Sequence, residues 1–127
     1  MKRLLAMALA AWMLLSCAAF ALTKDPGDYI GHWEGGPDLG TAREYSLDIT
    51  GYANGKFSVD LTLYRIWCFE QMDAEMLPNG MAAILLTNNA DEYLVEGRLY
   101  FCEDGVDLEV IQSTFEDLPV GTYIQFR

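Results

Sequence analysis

Tyr45-Ser46-Leu47-Asp48-Ile49-Thr50-Gly51-Tyr52-Ala53-Asn54-Gly55-Lys56-Phe57-Ser58-Val59-Asp60-Leu61-Thr62-Leu63 decides the architecture of this chain. Tyr45, Leu47 and Ile49 alternate with Ser46, Asp48 and Thr50, and Phe57, Val59, Leu61 and Leu63 alternate with Ser58, Asp60 and Thr62. A period of two puts every apolar side chain on one face of a pleated strand and every polar one on the other. Asn54-Gly55 lies between the two runs, and that pair tolerates the positive φ angles a tight type I′ hairpin demands. The stretch is therefore a hairpin with one dry face and one wet face.

The pattern extends in both directions. Downstream, Met72, Ala74 and Met76 alternate with Gln71, Asp73 and Glu75, whereas Trp67-Cys68-Phe69 is apolar on both faces. Arg65–Met76 is thus predicted as a strand with a bulge or a two-sided start. Pro78-Asn79-Gly80 is a turn, and the apolar run 81–87 is short enough between turns to favour a strand over a helix. Val95, Leu99 and Phe101 oppose Glu96, Arg98 and Tyr100, with Gly97 marking a bulge or a tight bend. Asp104-Gly105 is a second type I′ signal leading into Val106, Leu108 and Val110. A loop carrying Pro119 precedes a closing strand, 122–127, with Ile124 and Phe126 inward. Upstream, Tyr29–Glu34 is the first strand, ended by Gly35-Gly36-Pro37-Asp38.

Eight short strands in series and no firm helix predict an all-β domain, a single antiparallel meander closed or partly closed as a barrel, with a β-sandwich as the alternative. Closure removes the exposed strand edges that invite aggregation. An eight-stranded barrel has room for a packed core or one small ligand.

The first residues speak of location. Met1-Lys2-Arg3 is cationic, Leu4–Leu15 is apolar, and Ala19-Phe20-Ala21 offers a small-x-small cleavage pattern, so 1–21 read as a signal peptide and 22–127 as the exported, β-barrel-like domain. Leu14-Leu15-Ser16-Cys17 partly matches a bacterial lipobox, which leaves lipidation at Cys17 open beside cleavage after Ala21. A lipid at Cys17 is the only expected link to a membrane.

From Leu22 onward six basic residues (Lys24, Arg43, Lys56, Arg65, Arg98 and Arg127) face all nineteen acids, a net charge of −13. Such a domain does not bind nucleic acid, which needs phosphate neutralised by cations. It is suited to solubility or to a cationic partner. Cys68 and Cys102 remain as the one cysteine pair of the mature chain, and in an exported domain an isolated pair is expected to form a disulfide, contributing about 3–4.5 kcal/mol by the chain-entropy argument. With one histidine, no zinc site is expected.

Gly31-His32-Trp33 at the start of a β-meander resembles the Gly-x-Trp opening of lipocalin-like (calycin) barrels, although their later Thr-Asp-Tyr motif is absent. The resemblance implies that Trp33 closes the barrel base and that Gly31 permits close backbone approach. The layout is also similar to small secreted or lipoprotein barrels of bacteria, some of which inhibit lysozymes.

Candidates for chemistry are few. His32 needs an orienting carboxylate to act as a base, and the sequence leaves open whether Glu34 or Asp48 approaches it. Asp73 with Glu75, and Asp107 with Glu109, share strand faces, which for acids on a solvated sheet is ordinary. No Gly-x-Ser-x-Gly is present. No catalytic, cofactor-binding or metal-binding residue is assigned. The aromatics are more suggestive: Trp67, Phe69, Tyr64 and Tyr100 form a possible binding surface near the expected bridge, or else a secondary core over it. The expectation is a monomeric, non-enzymatic exported domain that binds a small apolar ligand or a basic extracytoplasmic protein. Its alternative is an envelope lipoprotein with a structural or lysozyme-inhibitor-like role.

Overall fold

The computed structural model describes residues 25–36, 44–88 and 92–127. The expected signal peptide and Cys17 lie outside the described residues. Eight strands follow one another: β1 (Gly31–Gly35), β2 (Tyr45–Ala53), β3 (Lys56–Leu63), β4 (Trp67–Met76), β5 (Ala82–Thr87), β6 (Leu94–Phe101), β7 (Val106–Ser113) and β8 (Tyr123–Phe126). Each pairs antiparallel with its neighbour in chain order, forming one eight-stranded sheet. Among the described residues the only helical element is a 3-10 turn, Pro26–Tyr29, and no helix is long and apolar enough to cross a membrane.

The sheet curls into a nearly closed barrel with one unsealed seam. β1 and β8 share no ladder, but Glu34 and Arg127 exchange both backbone bonds, Arg127 N donating to Glu34 O at 2.8 Å and Glu34 N to Arg127 O at 3.2 Å. Gly35 allows this approach, because a Cβ there would run into the Gln125 carbonyl. In place of the close approach expected at Gly31, that glycine has open space around it and a φ of +152°.

Alternation sets the register. Tyr45, Leu47 and Ile49 oppose Leu63, Leu61 and Val59 across β2–β3, and all six are buried. Phe57, Phe69, Phe101 and Phe126 join Leu47, Leu61, Leu99 and Leu108 in filling the interior. At about 1.5–3 kcal/mol for each large apolar side chain, this burial is the main stabilising term of the fold. The barrel is packed through.

The Asn54-Gly55 hairpin forms with φ of 54° and 78°, as a type I′ turn requires. The bulge expected in β4 is present. In β4, Glu70 and Gln71 face Asp60 across the register shift, Gln71 has a φ of 57°, and its N–H donates to Asp60 Oδ1 at 2.7 Å. At Gly97 the ladder also shifts, but the extra residue is Ile111 of β7, opposite the Glu96–Gly97 step, and Gly97 is needed for close approach, since a Cβ on it would lie 2.9 Å from the Glu109 carbonyl.

Three expectations need correction. Tyr29 belongs to the 3-10 turn and not to the first strand, because Pro26 at the start of that turn pre-sets a helical φ. Asp104-Gly105 is not a type I′ turn, since neither residue has a positive φ. Gly105 is there because the turn packs onto the Phe126 carbonyl, where any Cβ would collide. The third correction concerns the cysteines. β4 and β6 run the same way, both being antiparallel to β5, and Ala74, Ile84 and Gly97 lie in one row. Cys68 is six residues before Ala74 and Cys102 five after Gly97, so the two are separated by roughly 35 Å along the strands. A disulfide needs Cα atoms within about 7 Å. Cys68 is a free, exposed thiol, and no Cys68–Cys102 bridge forms.

Candidate functional site

The outer face of β1–β4 carries six carboxylates, Glu34, Asp48, Asp60, Glu70, Asp73 and Glu75, and among the described residues of these strands its basic side chains are His32 and Lys56. The alternation that buries Leu47 and Leu61 turns Asp48 and Asp60 outward, where they sit opposite each other in the register. His32 opposes Asp48 from β1. Its Nδ1 lies 2.6 Å from Asp48 Oδ1 and its Nε2 3.3 Å from Glu34 Oε1. Hydrogen bonds to Asp48 and then Glu34 raise the imidazole above its usual range. Both ring nitrogens face carboxylates, which favours the doubly protonated imidazolium. The arrangement favours the protonated ring within an acidic field.

One end of the barrel carries the exposed aromatics. Tyr64 and Trp67 are 62% and 40% exposed, with Ile66 between them at 45%. Arg65, at a φ of 63°, places its guanidinium 5.2 Å from the Tyr64 ring centroid. Trp67 leans edge-on against Phe69 and Tyr93, at 6.4 and 5.7 Å between centroids, and Phe115 packs on both of those rings. Of the four residues expected to form a binding surface, Trp67 and Tyr64 are exposed at this end. Phe69 is core, 1% exposed.

Tyr100 is at the other side of the molecule and is buried. It faces outward, opposite Asp107, but Tyr123 stacks over it at 6.3 Å. Asp107 beneath them accepts from Tyr123 Oη and from Arg127 Nη1, both at 2.7 Å. Burial, and then the bond to Asp107, push the Tyr123 phenol upward, so it remains a donor. Asp107 is therefore a buried, paired acid, unlike its exposed-face reading with Glu109. The cluster is internally satisfied and offers no open site.

At the opposite end from Trp67, the 3-10 turn stoppers the barrel. Tyr29 is buried, its ring 4.9 Å from Phe101 and its hydroxyl donating to the Cys102 carbonyl at 3.1 Å. Trp33 faces inward opposite Leu47, is half-buried against the core, and donates from Nε1 to the Tyr29 carbonyl at 2.9 Å. The residue in the deep position is Tyr29, with Trp33 bracing the turn that holds it. The sequence signal for Tyr29 was Pro26, which starts the turn three residues earlier.

Among the described residues no group of three or more histidine, cysteine or acidic side chains converges to hold a metal ion. Compared with known proteins, the chain matches no family model, no curated protein and no solved structure. The geometry itself defines the class: a small, filled, antiparallel meander barrel with an acidic outer face beside an aromatic rim.

Proposed function

We propose that this protein is an exported, non-enzymatic binding domain whose acidic β1–β4 face and Tyr64–Trp67 rim take up a basic extracytoplasmic protein. The observation that carries this reading is the combination of a filled interior with six carboxylates on one outer face. A barrel that held a small apolar ligand would spend its interior on a cavity, whereas here phenylalanine and leucine side chains occupy it. A field of one sign steers and orients an oppositely charged partner. Exposed aromatic anchors beside it supply apolar contact.

Titration of the 22–127 domain with a basic lysozyme and with octalysine tests this, followed by Trp fluorescence and calorimetry at low and high salt. Binding that weakens steeply with salt is the expected result. Absence of binding to both probes at low salt overturns the reading. Uptake of a fluorescent fatty acid in a parallel titration would favour the small-ligand function in its place.

A further inference from the structure

β4 has ten residues and β5 has six, yet their ladder holds only three register pairs, Ala74↔Ile84, Glu75↔Ala83 and Met76↔Ala82. Above that point the strands part. The bulge at Glu70–Gln71, tied back to Asp60 on β3, keeps upper β4 with its other neighbour, where Phe69, Cys68 and Trp67 pair with Leu61, Thr62 and Leu63. On the β5 side, the Thr87 N–H reaches only the Met72 thioether, at 3.4 Å, a weak acceptor for a backbone donor. Between them is a notch of about 250 Å³ bordered by 67–72 of β4 with Thr87 and Asn88. The β1–β8 seam is different, because the backbones touch there at Gly35 and leave no room for a strand.

We propose that this notch is a strand-acceptor site, in which an extended segment of a basic protein pairs with the edge of upper β4 that is left unpaired among the described residues. The inference rests on the cationic-partner reading and assigns it a place and a mode of recognition. Main-chain pairing with an exposed edge gives affinity, and alternate side chains give specificity. A strand laid along β4 turns alternate side chains inward, over the rim of Trp67 and Met72, and outward, toward Glu70 and Asp73. The occupant that fits is an extended peptide alternating apolar and basic residues, because the acids on the outer side of the notch complement its cations.

The test uses the 22–127 domain and two synthetic probes, the decapeptide (Lys-Val)5 and the same peptide N-methylated at alternate residues so that one edge cannot donate. Amide exchange across the protein and the alkylation rate of Cys68, which borders the notch, locate the bound peptide. The expected result is protection of 67–73 and 85–88, slower alkylation of Cys68, and binding weaker by about tenfold or more for the methylated peptide. Equal binding of the two peptides, with protection spread over Glu34, Asp48 and Asp60, overturns strand pairing while leaving the charged face as the partner site. Binding of lysozyme or octalysine without binding of either decapeptide likewise overturns the notch alone. Protection of 67–73 by self-association, seen by sedimentation without peptide, overturns it in favour of a second copy of the chain.

Discussion

His32 Nδ1 and Asp48 Oδ1 are 2.6 Å apart across the β1–β2 pair, on the wet face of the barrel. The contact favours the protonated ring, and the His32 pKa is raised above 6.5. Its contribution to stability is therefore complete below the unfolded value and fades as pH rises through the folded one. We expect the His32 ring signals to titrate above 6.5 by NMR, and Asp48→Asn to move that midpoint down. A midpoint at or below 6.5 in the unaltered protein would falsify the clamp.

Tyr29 and Trp33 divide the work of closing one end. Tyr29→Ala removes a buried ring packed on Phe101 and is expected to cost about 3–5 kcal/mol in chemical denaturation. Trp33→Ala removes a half-buried ring and one hydrogen bond, and is expected to cost less, about 2–3 kcal/mol. The reverse order would show that Trp33 is the plug.

Gly35 sets the closure of the seam. Gly35→Ala forces a methyl against the Gln125 carbonyl, and we expect a loss of about 1–3 kcal/mol. The Glu34 and Arg127 amides should then exchange faster while those of β3 stay protected. Unchanged exchange at Arg127 would mean that the seam tolerates a wider gap.

Cys68 should react with a maleimide in the folded protein without denaturant, since its thiol is exposed. Non-reducing digestion should yield no peptide joining Cys68 to Cys102. Recovery of that peptide from folded protein would contradict the strand directions themselves.

The fold was legible where each face of a strand has a single environment. From Tyr45 to Leu63 alternation names the core and Asn54-Gly55 the turn, whereas the register shift at Thr50 carries no such signal. It fails where distant chain covers an outer face. Tyr100 and Asp107 have outward parity, and only the arrival of Tyr123 and Arg127 from the far end of the sequence buries them. The cysteine pairing was misread for a different reason. An isolated pair in an exported domain suggested a bridge, whereas counting strand reversals between Cys68 and Cys102 would have put them at opposite ends. The acidic face was visible as charge, but the carboxylates around His32 depend on cross-strand register, which no local pattern carries.

The short β4–β5 ladder also divides the barrel mechanically. Strands β1–β4, residues 31–76, and β5–β8, residues 82–126, are each contiguous in sequence. Three register pairs join them on one side and the Glu34–Arg127 exchange on the other. The molecule is thus two consecutive half-shells sharing one core, connected through the Pro78-Asn79-Gly80 turn. Opening at that turn would therefore part the two halves while every strand pair within each half stays intact.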